Sequence, residues 1–186
     1  EVVLAAVKSD GIALAEADET LKANREIVLA AVEEGGYALQ YADKKFRSDR
    51  KVVLAAVKQL GWALLYADKE FTSDREIVLA AVKSDERALQ FADEMLKVDR
   101  EVVMAAVKKG GVALEHANEK FRSDREIVLT AVKENGTALE YANKTLKSDR
   151  EVVLAAVQQE VNLRGGAIQY ASDSLKADRE IVLAAV

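Results

Sequence analysis

The chain has no cysteine, no proline and only one histidine in 186 residues. The absence of cysteine excludes disulfides, thiolate metal ligands and cysteine nucleophiles. Proline interrupts helices, so a chain without it can form one helix after another. No apolar run approaches the ~20 residues that a membrane-spanning helix needs, and no signal peptide is recognisable. We therefore expect an intracellular protein without a membrane-spanning segment.

A strong excess of one charge is also lacking, because 27 basic residues stand against 32 acidic ones and the formal net charge is −5. A nucleic-acid-binding protein that uses a broad basic surface is therefore not expected. Hydrophobic residues make up 50% of the chain and charged residues 32%. This balance is typical of a folded protein rather than a disordered one.

One short text is repeated throughout. The nonapeptide DREIVLAAV occurs at 74–82 and again at 178–186, with near-copies between them. The position after the Asp-Arg or Asn-Arg pair recurs every 25 residues from Glu26 to Glu151, and Glu1 fits the same column. The last spacing, from Glu151 to Glu180, is 29 residues. A fixed period of this length predicts a solenoid, in which each repeat is stable only against its neighbours. Because both ends of the sequence fall inside a repeat, we expect residues 1–186 to be a single array cut from a longer chain.

Each repeat predicts two helices. Aspartate or asparagine before the arginine can cap the first helix, although Ser73 and Glu76 could instead form a capping box. The apolar run that follows would have to be enclosed on nearly every side, and the glycine after it could end the helix in a left-handed conformation. From Ala38, apolar residues recur on one face of a second helix. The prediction is an all-α fold, an α-solenoid of about seven 25-residue two-helix repeats.

A strand–helix repeat of the leucine-rich type is the structural alternative. Paired alanines are poor strand formers, and the pattern L-x-x-L-x-L-x-x-N is missing. The last repeat carries four additional residues between Val157 and Gly165. Four residues are close to one helical turn, so we expect them to lengthen the first helix without rotating it.

These columns resemble the repeats of the family known as domain of unknown function 4116. The shared text is EVVLAAV in the first half of a repeat and segments such as GYALQYADKKFRSD or GTALEYANKTLKSD in the second half. The resemblance covers essentially the whole chain. It implies a helical tandem-repeat fold, and it implies no shared activity and no catalytic residues.

No catalytic or metal-binding constellation is recognisable. His116 occupies a column that otherwise holds mainly tyrosine or phenylalanine, so we interpret it as a packed ring rather than a catalytic base. The column that begins Asp18, Asp43, Asp68 and Asp93 continues with Asn118, Asn143 and Ser172, which indicates polar contacts between repeats rather than a cation site. We expect no enzyme activity, no cofactor and no metal.

One arginine recurs in the first turn of every first helix except the one that opens the chain. A cation there opposes the helix dipole, so some interaction must offset the cost. A salt bridge to the next repeat is one interpretation, and a row of anion sites that would bind nucleic acid or phosphoinositide is the other. The row comprises Arg25, Arg50, Arg75, Arg100, Arg125, Arg150 and Arg179.

The column after the turn glycine varies from glycine to tryptophan, so it lies outside the repeat core. Apolar residues are concentrated near this column in the first three repeats, where they could form one exposed patch that binds a protein. The patch comprises Ile12, Tyr37, Leu60, Trp62 and Leu65, and we expect this patch around Trp62 to be the main contact. The sequence thus predicts a non-enzymatic scaffold with protein partners, which could belong to a larger assembly. A phosphate-binding module and a spacer region of a larger enzyme or effector are the alternatives.

Overall fold

The structure is a computed structural model that describes residues 2–159 and 166–185. These residues form α-helices and 3₁₀ helices, and no strand occurs among them. The prediction of an all-α repeat solenoid is therefore confirmed, and the strand–helix alternative is wrong. The chain divides into two compact units, Glu1–Leu96 and Lys97–Val186. Nothing in the repeat period marks a boundary near Leu96, and the prediction of a single array cut from a longer chain stays a prediction.

The repeats are numbered from the capping residue, so that repeat 2 begins at Asn24, repeat 3 at Asp49 and repeat 4 at Asp74. Each complete repeat described contains three helical segments rather than the two predicted. The first is an α-helix; these helices are Val2–Ser9, Arg25–Glu34, Arg50–Gln59, Arg75–Ser84, Arg100–Lys109, Arg125–Glu134, Arg150–Gln158 and Arg179–Ala184.

The second segment is a 3₁₀ helix. These are Gly11–Glu16, Gly36–Tyr41, Gly61–Tyr66, Glu86–Phe91, Gly111–His116, Gly136–Tyr141 and Ala167–Tyr170. The third segment is a single turn. It is α-helical at Glu19–Lys22, Lys44–Arg47, Glu94–Lys97, Glu119–Arg122 and Asp173–Lys176, and 3₁₀ at Lys69–Thr72 and Leu146–Ser148.

The prediction of one continuous second helix is wrong because two extended residues interrupt it. In repeat 1, Ala17 and Asp18 have φ and ψ near −71°, 153° and −61°, 151°. The Asp18 carboxylate accepts a hydrogen bond from the backbone N–H of Thr20 at 2.9 Å. A short acidic side chain that bonds the backbone two residues ahead competes with helix continuation. The column of Asp18, for which polar contacts between repeats were predicted, therefore also starts a new helical turn.

The predicted aspartate caps of the first helices are confirmed. Asp74 accepts hydrogen bonds from the N–H groups of Glu76 and Ile77 at 3.0 and 3.1 Å. The alternative capping box at Ser73 does not form, because the Ser73 hydroxyl donates instead to the Glu70 carbonyl at 3.0 Å. A carboxylate adjacent to the helix start accepts from two free donors at once, which leaves the serine for the preceding turn.

The turn glycines have a different role from the one predicted. The first helix ends in extended backbone, with φ −149° and ψ 116° at Gly35. Where glycine follows, it allows a close approach, since a Cβ atom there would lie closer than 3.0 Å to an alanine carbonyl oxygen of the next repeat. Repeat 4 has Glu86 in this column instead. These contacts pair Gly11 with Ala31, Gly36 with Ala56, Gly61 with Ala81, and Gly111 with Ala131. The small residues at these positions allow the repeats to stack closely.

The first helices are not enclosed on every side. In Arg75–Ser84, Ile77, Val78, Ala81 and Val82 are buried, whereas Leu79 and its neighbour Ala80 are only half-buried. The same division into buried and half-buried positions recurs in the helix of repeat 3. The helix therefore has one core face and one partly open face, although its sequence places apolar residues on every face.

Backbone hydrogen bonds also join successive repeats. The donor is the backbone N–H of a residue in the column of Asp18. The acceptor is the carbonyl of the residue in the column of Lys22 in the preceding repeat. Six such bonds, of 2.8 to 3.3 Å, join Asp43 to Lys22, Asp68 to Arg47, Asp93 to Thr72, Asn118 to Lys97, Asn143 to Arg122, and Ser172 to Lys147. Each bond lies within one compact unit and fixes the register between two repeats.

The predicted extra helical turn in the last repeat falls on residues 160–165, outside the described residues. Across residues 2–159 and 166–185, no helix has the length and apolarity to cross a membrane.

Candidate partner-binding surface

The five residues of the predicted patch all lie in the unit Glu1–Leu96, at or just before the 3₁₀ helices of repeats 1 to 3. Ile12, Tyr37 and Leu65 are exposed, with 53%, 43% and 50% of their surface accessible. Leu60 and Trp62 are half-buried. Because exposed large apolar side chains are few among the described residues, their concentration in three neighbouring repeats is a distinctive feature of this unit.

A groove brings three members of the patch together. Ile12, Tyr37 and Leu60 line a cavity of about 310 Å³ whose floor includes Gly35 and Gly36. The position after the first helix is Asp10 in repeat 1, Gly35 in repeat 2 and Leu60 in repeat 3. A Cβ atom placed on Gly35 would meet nothing within 4 Å. The missing side chain of Gly35 therefore creates the notch in this surface.

Trp62, around which the main contact is expected, is half-buried. Its ring packs edge-on against Phe91 of repeat 4, with the ring centroids 5.3 Å apart and the planes at 77°. Tyr37 packs against Tyr66 of repeat 3 with a tilted geometry, at 6.0 Å and 50°. The residue after the turn glycine thus contacts the aromatic column of the next repeat, 29 positions ahead. Trp62 supports the surface from below as well as contributing to it.

Tyr37, which lines the groove, is close enough to Tyr66 for the two to influence one another. The pKa of the Tyr66 hydroxyl is raised, chiefly by burial and further by Tyr37 and Tyr41. An ordinary tyrosine is already neutral at physiological pH, so this shift does not change the charge of the surface.

The charges at the groove have one sign. Among the described residues that line it, Asp10 and Glu34 are the charged ones, and both are exposed. Asp10 accepts a hydrogen bond from the backbone N–H of Ile12 at 2.9 Å, which holds the carboxylate at the rim. The groove thus combines apolar side chains with two exposed carboxylates.

The arginine row forms salt bridges with the next repeat, which confirms the structural interpretation for the described pairs. Arg50 contacts Asp74 at 3.2 Å and Glu76 at 2.6 Å. The equivalent pairs are Arg25 with Asp49, Arg100 with Asp124 and Glu126, Arg125 with Asp149 and Glu151, and Arg150 with Asp178 and Glu180. Each partner carboxylate caps or begins the next first helix, so the guanidinium charge is already engaged. Anion binding by this row stays a prediction.

These ion pairs shift the titration of their members. The Arg125 guanidinium lowers the pKa of the Asp149 carboxyl by hydrogen bonding, against the opposing effect of burial. Arg25 has the same effect on the pKa of Asp49. The capping carboxylates therefore stay ionised at pH values at which an ordinary aspartate is partly protonated.

The remaining candidates have structural surroundings. Asn143 donates from its side-chain nitrogen to the Ser123 hydroxyl of the preceding repeat at 3.0 Å, and Ser48 donates to the Asp68 carboxylate. The prediction of inter-repeat polar contacts is confirmed at these two positions. His116 is half-buried, and burial lowers the pKa of its imidazole. In the part of the chain that the structure describes, no three histidine or acidic side chains converge as a metal site would require.

The comparison with protein families gives a match over the whole array. The model of the family described as "Domain of unknown function (DUF4116)" matches residues 1–47, 49–97, 99–147, 124–163 and 149–186. The chain belongs to this family. Each of the first three DUF4116 matches spans nearly two of the 25-residue repeats, so the family unit corresponds to a pair of repeats. The comparisons with curated proteins and with solved structures give no match.

Proposed function

We propose that this DUF4116 array is a non-enzymatic scaffold that binds a protein partner through the apolar surface of repeats 1 to 3. The observation that carries the proposal is the groove at Gly35, where Ile12, Tyr37 and Leu60 lie together on neighbouring repeats. Leu65 extends the apolar surface on repeat 3. Apolar and aromatic side chains that cluster on an otherwise charged surface are typical of a protein interface.

The arginine row supports a structural role better than a phosphate-binding one. Five of its members form salt bridges with carboxylates of the next repeat. Phosphate would have to compete for these guanidinium groups with carboxylates that also cap or begin helices. The residues shared by all repeats therefore form the scaffold, and the proposed partner surface lies at positions where the repeats differ.

The test compares partner capture by three purified baits. The first is the wild-type chain, the second carries Ile12→Ser with Tyr37→Ser, and the third carries Met95→Ser as a matched control. Met95 is 74% exposed and lies on the third segment of repeat 4, outside the groove. A protein captured from the source cells is identified, purified and titrated against each bait.

The expected result is a dissociation constant at least tenfold higher for the double variant than for the wild type. That increase corresponds to about 1.4 kcal/mol or more of binding free energy. The Met95→Ser bait should bind like the wild type. Equal binding by all three baits would refute the proposed surface, provided that circular dichroism shows the same helicity for each.

A further inference from the structure

The rim of the Gly35 groove restricts which partner segment fits it. This inference rests on the proposed function, because it concerns the chemistry of the segment that the same surface binds. We infer that the groove receives an apolar side chain from a partner segment that carries lysine or arginine beside that side chain. The occupant is a protein segment with a basic and apolar sequence.

The first argument is the shape of the notch. Gly35 has an extended backbone that any residue can adopt, and a Cβ atom there would meet nothing within 4 Å. Packing therefore does not require glycine at this position, unlike the adjacent Gly36, where a Cβ atom would be closer than 3.0 Å to the Ala56 carbonyl oxygen. The fold does not need glycine here, and its missing side chain leaves open space beside Ile12, Tyr37 and Leu60.

The second argument is the charge at the end of the repeat 2 helix. That helix ends in Glu33 and Glu34, and it has no basic residue in its last turn. The column of Glu33 holds lysine or glutamine in the other repeats: Lys8, Lys58, Lys83, Lys108, Lys133 and Gln158. A helix C-terminus favours cations, so a glutamate there is unfavourable for the helix. Glu33 shares a separate surface depression with Lys51 and Lys58 of repeat 3, whereas Glu34 lines the groove. Glu34 is therefore the helix-end carboxylate that is placed to meet a partner cation at the groove.

The third argument is the composition of the rim. Asp10 approaches the notch from repeat 1 and Glu34 from repeat 2, and no basic side chain is among the described residues that line the groove. Both carboxylates are exposed, so a partner cation can reach them without displacing protein packing. A hydrophobic contact surrounded by complementary charge is the usual arrangement of a specific interface, with the charges contributing to association rate and selectivity.

The test uses three capped peptides of equal length. The first has two leucines flanked on each side by two lysines, the second has glutamate in place of lysine, and the third has alanine in place of leucine. Binding is followed by the amide chemical shifts of Ile12, Gly35 and Gly36 in nitrogen-15 labelled protein. We expect saturable shifts with the lysine–leucine peptide and at least tenfold weaker binding of the other two.

Two glycine variants test the notch itself. Gly35→Leu places a leucine in the groove at a position where its Cβ atom meets nothing within 4 Å. Gly110→Leu adds the same side chain at the equivalent extended position of repeat 5. We expect Gly35→Leu to weaken binding of the lysine–leucine peptide at least tenfold and Gly110→Leu to leave it unchanged. Asp10→Asn with Glu34→Gln should weaken binding and remove most of its salt dependence.

The outcomes separate this inference from the proposed function. Equal or tighter binding of the glutamate peptide would overturn the basic partner and leave the apolar surface in place. No shift with any peptide, or unchanged binding by Gly35→Leu, would also overturn the inference, while the captured protein would still test the surface through Ile12→Ser with Tyr37→Ser. Failure of that double variant to weaken capture would overturn both.

Discussion

Neighbouring glycines in this chain have different physical roles. Gly36 lies against the Ala56 carbonyl and the Leu60 side chain of repeat 3, whereas Gly35 faces open space. The sequence predicts only that Gly36 ends a helix and assigns no role to Gly35, because composition does not show which backbone approaches a neighbour. The distinction separates a glycine that the stacking needs from one that shapes the partner surface.

A pair of alanine substitutions tests this distinction. Gly36→Ala should lower the free energy of unfolding by about 1–3 kcal/mol, since the new methyl group forces two repeats apart. Gly35→Ala should leave stability unchanged or raise it by about 0.4–1 kcal/mol, because it restricts the unfolded chain without strain. Urea unfolding of both variants measures the difference. Equal losses in the two variants would contradict the close approach assigned to Gly36.

The arginine row predicts a dependence of stability on pH. Arg125 lowers the pKa of Asp149 below 3.8, so this ion pair contributes stability above that pH, and the contribution is lost as the pH falls through the lowered value. Arg125→Gln should therefore lower the urea midpoint at pH 7, and its difference from wild type should shrink as the pH falls below about 3.8.

The matched control for this charge is Lys144→Gln, which removes one exposed cation from the same repeat. It should change the midpoint little at either pH. If Arg125→Gln and Lys144→Gln behave alike, the salt bridge contributes nothing beyond net charge.

At the level of helices, the sequence predicted the first segment well and the second poorly. The caps and the apolar run of Arg75–Ser84 are local signals, so they are readable from one repeat. The 3₁₀ segment Gly61–Tyr66 shares its apolar spacing with an α-helix, and only the extended Ala67 and Asp68 that follow show where it stops. The inter-repeat backbone hydrogen bonds leave no mark in side-chain patterns and could not be predicted.

Adjacent leucines of that 3₁₀ helix differ in burial. Leu64 is 1% exposed and Leu65 is 50% exposed. Leu64→Ala should lower the free energy of unfolding by about 2–5 kcal/mol, because it leaves a cavity in the core. Leu65→Ala should change it by no more than about 0.5 kcal/mol, because it removes a surface side chain. Thermal unfolding of the two variants checks the assignment, and a similar loss for both would show that the 3₁₀ helix does not present two distinct faces.

Over the full array, repetition and difference carry separate information. The positions that all repeats share supply the helix caps, the core valines and the salt bridges. For this reason the fold and the family could be predicted from the sequence. The candidate surface was predicted from the residues that depart from those columns, such as Trp62 and Leu65. In the structure, Leu65 is exposed and Trp62 packs against Phe91. Gly35 and Glu34 also belong to the candidate surface, and their role depends on the space between repeats. The division near Leu96 has no counterpart in the sequence pattern.

Hydrogen–deuterium exchange on the chain with and without its captured partner tests most directly whether the contact is confined to the first three repeats. The proposed surface predicts slower exchange on binding in residues 10–16, 35–41 and 60–66. The equivalent segments of repeats 5 and 6, residues 110–116 and 135–141, serve as internal controls and should be unchanged. Slower exchange spread equally over all five segments, or confined to the two controls, would contradict it.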